Sequence, residues 1–274
     1  MKQLTLRETQ LAALETYKAL RKICDQLDVR YTIAYGSLIG AIRHKGFIPW
    51  DDDLDLLLPR PDYDKLCRYL NAHAEQLRPY QLDTFQKTQH YPFYIARFTD
   101  TRYHLEFTDR KYTSGIFVDL YPLDGLGDEK GVAEWRARGK KLLRVLKHLT
   151  LSNYPGFLYG DGMLHKIGNL PNCIYSKVLG RKRFFSYLDR IAHEHTWEES
   201  GFVTVKAWDV DVPIVYERTW LEETVMMPFE DTEVPVPKEY DRILRMTYGD
   251  YMQLPPEKNR QPHHEYSAYL KVEG

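Results

Sequence analysis

The sequence predicts an α/β (α+β) fold: a mixed sheet core flanked by helices, with a basic helical insertion at 127–195. Three observations lead there. Apolar residues recur at helical spacing near both ends of the chain. Between 80 and 121 the sequence breaks into short β-branched and aromatic runs, a meander rather than a series of strand–helix–strand units. Between 130 and 190, 13 Lys and Arg stand against 3 Asp and Glu, a basic block in a chain whose formal net charge is only −1. That block is a local surface suited to anionic lipid headgroups or phosphates, and no global field points to nucleic acid. Repeats and low-complexity linkers are absent, so residues 1–274 read as a single domain large enough to bury a substantial core.

In chain order, residues 6–28 read as an amphipathic helix, with Leu11, Leu14, Leu20, Ile23 and Leu27 at helical spacing. Tyr31 to Tyr35 reads as a short strand closed by a Gly36-Ser37 turn. Leu38 to Arg43 suits a short helix, whose first amides make a ready anion site. Ile48 to Pro59 reads as a second strand with four aspartates at its start. Pro61 to Leu77 has helix character, with Pro61 and Asp62 as start signals. The meander comprises Tyr80–Phe85, Tyr94–Thr99, His104–Thr108 and Ile116–Tyr121, closed by a turn at Asp124-Gly125. Two helices, Lys130–Leu149 and Tyr175–His195, flank a Gly/Pro/Tyr-rich interruption at 153–172. Residues 202–237 return to strands with a hairpin around Asp231-Thr232, and Lys238–Met252 is a last helix. The tail, with Pro255, Pro256 and Pro262, reads as irregular.

Cys24, Cys67 and Cys173 lack any paired spacing, which fits reduced thiols in a cytoplasmic protein. No signal-peptide core opens the chain, and no run approaches ~20 apolar residues. The expectation is a soluble protein, or one peripheral to the inner face of the cell membrane.

The chemistry concentrates in Asp51, Asp52, Asp53 and Asp55. On a strand, Asp51, Asp53 and Asp55 share one face while Asp52 and Leu54 take the other. Same-face carboxylates can hold one or two divalent cations; left unneutralised beside apolar neighbours, they repel and are costly to bury. Oxygen-only ligation favours Mg²⁺ or Mn²⁺ over zinc. A solvated acidic turn is the plain alternative. An EF-hand loop is not, because Leu56 stands where it needs Gly and Asp62 where it needs Glu. A strand, a Gly-Ser turn and a D-x-D on the following strand form the constellation of the nucleotidyltransferase fold. There the turn amides and hydroxyl hold phosphate oxygens and the carboxylates hold metals. Asp119, a lone acid inside an apolar strand, is the candidate third carboxylate; a hydrogen-bonded core aspartate is its alternative.

The run GSLIGAIRHKGFIPWDDDLDLLLPRPDYDKL resembles the signature of the LicD/fukutin-type phosphotransferase family. The likeness continues through VDLYPLDG at 118–125 and EYDRILRMTYGDYMQLPPEKNRQPHH at 239–264. It covers most of the chain apart from the basic insertion. The resemblance implies a nucleotidyltransferase-like core that moves a phosphorylated alcohol from a CDP-activated donor, most often phosphocholine from CDP-choline, to a sugar hydroxyl. Teichoic acid or another surface glycan, free or lipid-linked, would be the acceptor, and CMP would leave. Carried over by position, Asp53 and Asp55 are the metal pair, Asp119 completes the site and can take the hydroxyl proton, and Asp51 is an outer ligand. Gly36 and Ser37 would hold donor phosphate, where many relatives have Gly-Thr. Arg43, His44 and Lys45 would add cations, and His263-His264 would fold back onto phosphate.

Choline recognition needs an aromatic cage. Trp50, Tyr91, Tyr94, Trp208 and Trp220 are possibilities, but with 21 tyrosines in the chain, packing accounts for most aromatic residues. In the insertion, Trp135 and several Leu and Val alternate with Arg and Lys, which suits a helix on an anionic membrane or an ordinary packed helix. His193-Glu194-His195 lacks the spacing of a zinc helix, and no G-x-S-x-G elbow occurs. Two rivals share the acidic residues: a nucleotidyltransferase releasing pyrophosphate, and a non-catalytic membrane-associated scaffold for glycan assembly.

Overall fold

A computed structural model describes residues 1–89, 91, 93–107, 112–138, 163, 167, 170–171, 174, 178, 181–206, 214–262 and 266–271. After a short strand β1 (Lys2–Gln3), helix α1 (Leu6–Leu27) starts on a capping box. Thr5 Oγ1 accepts from the Glu8 amide and Glu8 Oε2 accepts from the Thr5 amide. It stops at Asp28, whose φ of 49° is left-handed. Leu14, Tyr17, Leu20 and Ile23 are buried, whereas Leu11 lies off the stripe at 43% exposure.

The remaining strands are β2 (Thr32–Ile33), β3 (Asp55–Pro59), β4 (Tyr80–Asp83), β5 (Ala96–Phe107), β6 (Thr113–Gly127), β7 (Phe202–Thr204), β8 (Tyr216–Glu217), β9 (Thr224–Phe229), β10 (Thr232–Pro237) and β11 (Tyr266–Leu270). The helices after α1 are α2 (Tyr35–Ile39), α3 (Arg60–Ala72), α4 (Lys130–Arg138), α5 (Arg181–Ala192) and α6 (Tyr240–Tyr248). The main sheet runs β1-β11-β5-β6-β3-β2, with β4 on β5 and β7 on β6. It is mixed: β3 and β6 are parallel, and the other pairs are antiparallel. Leu56, Leu57 and Leu58 are buried at its centre; each fully buried side chain of this kind contributes about 1.5–3 kcal/mol.

Several expected boundaries move. The meander's second and third pieces are one continuous strand, β5, with a register shift between Asp100 and Leu105. Asp124-Gly125 is not a turn but part of β6. A Cβ on Gly125 would lie 2.4 Å from Ser200 Oγ and 2.5 Å from Thr196 O, so this glycine serves close backbone approach. β9 and β10 form the expected hairpin, with Phe229 opposite Thr232 and Glu230 at φ 55°. The tail is not irregular throughout: β11 pairs five residues with β5. The insertion leaves and re-enters the sheet at neighbouring strands, since Asp124 of β6 lies opposite Thr204 of β7. Among the described residues no helix is long and apolar enough to cross a membrane.

Candidate active site

The helix predicted to begin at Leu38 begins three residues earlier. Ala34 is extended, Tyr35 takes a left-handed φ of 47°, and α2 continues through a wider π turn at Gly40–His44. Gly36 and Ser37 therefore lie in the first turn of this helix rather than before it. Ser37 Oγ accepts from the Asp55 amide at 3.0 Å, tying the turn to the start of β3. Gly36 leaves room for Asp51: a Cβ there would lie 2.4 Å from Asp51 Oδ2. Lys45, also left-handed at φ 56°, ends the segment, and its carbonyl accepts from the Glu230 amide at 2.8 Å.

Only Asp55 of the four aspartates is on a strand. Residues 51–54 form a loop, so strand alternation does not govern Asp51 to Asp53. Asp52 does not turn away: carboxylate oxygens of Asp51, Asp52 and Asp53 lie within 4.8 Å of one another. Gln10 of α1 anchors this loop by donating to the carbonyls of Ile48 and Asp51, and the Tyr266 hydroxyl of β11 donates to the Asp52 carbonyl.

Asp119 joins the cluster because β3 and β6 run parallel with Asp55 directly opposite it. Oxygens of Asp53, Asp55 and Asp119 also lie within 4.8 Å of one another, and all three residues are buried. On the other side, Arg97 of β5 faces Asp119. Its guanidinium donates from Nε to Oδ1 at 2.6 Å and from Nη2 to Oδ2 at 3.2 Å. The group sits between Phe93 and Phe117, 4.3 and 3.7 Å from their ring centroids. Burial opposes the Arg97 charge, yet Asp119 holds its pKa well above the usual range. Burial, then Asp53, Asp119 and Asp51, push the Asp55 carboxyl well above its ordinary value.

The donor set fits a divalent oxygen-seeking cation. Three carboxylates beside one guanidinium leave two net negative charges when ionised. Asp55 Oδ1 is buried without a hydrogen-bond partner, the condition a cation would relieve.

A cavity of about 790 Å³ opens over the cluster. Asp53 and Asp55 form its floor, and Tyr35, Tyr121, Tyr248 and Trp50 are among its walls. A chain that builds this arrangement is expected to have relatives that share it. Residues 28–144 match the family described as LicD/FKTN/FKRP, nucleotidyltransferase domain. Over 98% of its length the chain is 27% identical to the lipopolysaccharide cholinephosphotransferase LicD of Haemophilus influenzae, all of which is covered. A LicD-type domain match thus holds residues 28–144, and the likeness to LicD runs along nearly the whole chain. Shorter likenesses join it to uncharacterised proteins of Rickettsia typhi and Rickettsia prowazekii. These are 29% identical over 32% of this chain and 27% of the relative, and 32% identical over 25% and 23% respectively.

The LicD-family match contains Gly36, Ser37, the aspartates, Arg97 and Asp119. The basic triplet is placed differently from the expectation of three cations at the phosphate. Arg43 lines the cavity, but its Nη1 donates to the Tyr251 carbonyl at 2.6 Å, so it braces the 250–254 loop. His44 Nε2 accepts from Arg43 Nε, and burial and then Arg43 lower its pKa, so at neutral pH it is an acceptor. Lys45 is exposed and does not line the cavity. His263 and His264 lie outside the described residues.

Of the aromatic candidates, Trp50 lines the cavity. Tyr91 and Tyr94 are core residues bonded to the Ile95 carbonyl and to Asp189, and Trp220 carries Arg242 over its ring. Trp208 lies outside the described residues. Sequence reasoning missed Arg97, Tyr35, Tyr121 and Tyr248. The one signal for Arg97 was a lone cation between Ala96 and Phe98 in an apolar strand.

Proposed function

We propose that this chain is a LicD-type, Mg²⁺-dependent phosphotransferase that moves phosphocholine from CDP-choline to a hydroxyl of a cell-surface glycan, with release of CMP. The observation that carries the proposal is the buried Asp53–Asp55–Asp119 cluster under an aromatic cavity, in a chain aligned end to end with a lipopolysaccharide cholinephosphotransferase. Asp53, Asp55 and Asp119 would hold Mg²⁺ or Mn²⁺, with Asp51 at its edge; the ion would supply charge neutralisation and Lewis acidity at the transferring phosphate.

The residues of the chain then have these roles. Gly36 and the amides of the first α2 turn face the donor phosphates, and the missing side chain at Gly36 leaves Asp51 its place beside them. Arg97 fixes the orientation of Asp119, which takes the proton of the acceptor hydroxyl. That oxygen forms a bond to phosphorus as the bond from phosphorus to the CMP oxygen breaks. Positioning and charge neutralisation dominate, as in phosphoryl transfer generally.

A lipid-borne acceptor fits the basic section. Met163, Ile167, Leu170, Ile174 and Val178 recur at helical spacing and are 44% to 79% exposed, within the stretch of 13 Lys and Arg. Exposed apolar groups and basic charge together are the two signals of peripheral membrane attachment. Sedimentation with anionic liposomes at low and high salt tests this: recovery in the supernatant under both conditions removes it.

The function is tested with purified protein, Mg²⁺ and CDP-choline, CDP-ribitol, CDP-glycerol or nucleoside triphosphates, together with glycan acceptors. CMP release from CDP-choline is expected. Pyrophosphate release would identify a nucleotidyltransferase, and no product would leave a scaffold. Asp53→Asn should abolish CMP release while circular dichroism and the melting temperature show an intact fold.

A further inference from the structure

Five rings line the cavity above the aspartates, and the chain's own cations stand against the Trp50 and Tyr251 rings. Arg260 lies 5.7 Å over the Trp50 ring and Arg245 lies 6.0 Å from the Tyr251 ring centroid. The other three, Tyr35, Tyr121 and Tyr248, come from three separate elements. Tyr121 lies two residues beyond Asp119 on β6 and Tyr248 ends α6. Tyr35 meets Tyr121 edge to face, with centroids 5.2 Å apart at 76°.

Tyr35 holds this place with a left-handed backbone that a non-glycine residue rarely adopts. Such outliers persist where the surroundings over-determine them, and functional sites are a common setting. Tyr121 is buried, Tyr35 is half-buried and Tyr248 is 45% exposed.

The charge of the cavity points the same way. Among the described residues its lining holds Asp51, Asp53, Asp55 and Asp250 against Arg43, whose guanidinium braces a loop. A divalent cation accounts for the inner acids, and Asp250 remains on the wall with the tyrosines. A pocket of ring faces and negative charge suits a cation that neither donates nor needs hydrogen bonds, which describes a quaternary ammonium. A primary ammonium would exchange its water for ring faces at greater cost, because three N–H donors would be left to satisfy.

We infer that Tyr35, Tyr121 and Tyr248 form the subsite for the trimethylammonium group of the transferred alcohol and set its preference over a primary ammonium. The inference rests on the phosphocholine-transfer reading and adds the residues that choose the alcohol. Tyr248 is the practical handle, because it is 45% exposed and can be changed without opening the core.

The test compares wild type, Tyr248→Leu and Tyr248→Phe. CMP release from CDP-choline and CDP-ethanolamine is measured, and phosphocholine binding is followed by equilibrium dialysis. Loss of one ring should cost about tenfold in phosphocholine affinity and in kcat/KM for CDP-choline, and Phe should stay within about twofold of wild type. CDP-ethanolamine should change little, so the choline preference collapses only in the Leu variant. Tyr35→Leu should give the same signature.

Leu variants that retain the wild-type preference, or that lose both donors equally, overturn the cage while phosphocholine transfer stands. A wild-type protein that releases CMP from neither donor overturns the transfer reading itself, and the cage with it.

Discussion

Arg97 offers the sharpest test of how this fold tolerates its acids. It is 2% exposed, as is Asp119, and the two are joined through both carboxylate oxygens. Arg97→Met keeps the aliphatic volume between Phe93 and Phe117 but leaves Asp119 buried beside Asp55 and Asp53 without its cation. Removing one partner of a buried pair costs about 3–5 kcal/mol. The Arg97 Nη1 group already lacks a hydrogen-bond partner, and losing that liability places the net effect toward the lower end.

At about 2–4 °C per kcal/mol for a chain of this size, the melting temperature should fall by about 6–15 °C. The double variant Arg97→Met/Asp119→Leu should recover most of that loss, because an apolar pair can replace a buried ion pair at little cost. Added Mg²⁺ should raise the melting temperature of Arg97→Met more than that of wild type, since the ion becomes the main neutraliser of the cluster. Differential scanning calorimetry of wild type, Arg97→Met, Asp119→Leu and the double variant, with EDTA or Mg²⁺, measures all of this. A loss under about 1 kcal/mol, or a double variant as unstable as the sum of its singles, refutes the account.

Three further outcomes are expected. Gly36→Ala forces a Cβ to 2.4 Å from Asp51 Oδ2, so Asp51 must swing away; kcat/KM should fall about 10–100-fold with little change in melting temperature. For Asp55, burial and the neighbouring aspartates raise the folded-state pKa above the unfolded value. The folded chain therefore keeps its proton longer, and metal-free stability is lost as pH rises from the ordinary carboxylate range through the raised value. Asp55→Asn should flatten that loss in melts with EDTA between pH 4 and 9, and be the more stable protein at pH 8, while abolishing CMP release. Deleting residues 255–274 should unfold the chain rather than only weaken donor binding, because β11 lies between β1 and β5. Replacing His263 and His264 by Ala instead should keep the melting temperature and raise the donor KM if these residues contact phosphate.

Much of the site was legible because its parts are close in sequence. Gly36, Ser37 and the aspartates fall within twenty residues, and a carboxylate cluster running into Leu56-Leu57-Leu58 is a conflict that only a partner can resolve. Asp119 was legible for a related reason: a lone acid in an apolar strand needs a ligand or a hydrogen bond. The hairpin expected around Asp231-Thr232, which turns one residue earlier, α1 and the mixed α/β class followed from local periodicity and turn chemistry.

What the sequence could not specify depends on register across the sheet. The pairing of Asp55 with Asp119, and of Asp119 with Arg97, brings together residues 64 and 22 positions apart through strand neighbours that no local pattern encodes. The same holds for Tyr121 and Tyr248, whose place on one cavity wall depends on where α6 packs. Strand alternation misassigned Asp52 because residues 51–54 leave the ladder, held as a loop by Gln10 and Tyr266 from opposite ends of the chain. Local chemistry thus picked out which groups need a partner, while long-range pairing decided which of them meet and that Arg97 rather than Lys45 stands among them.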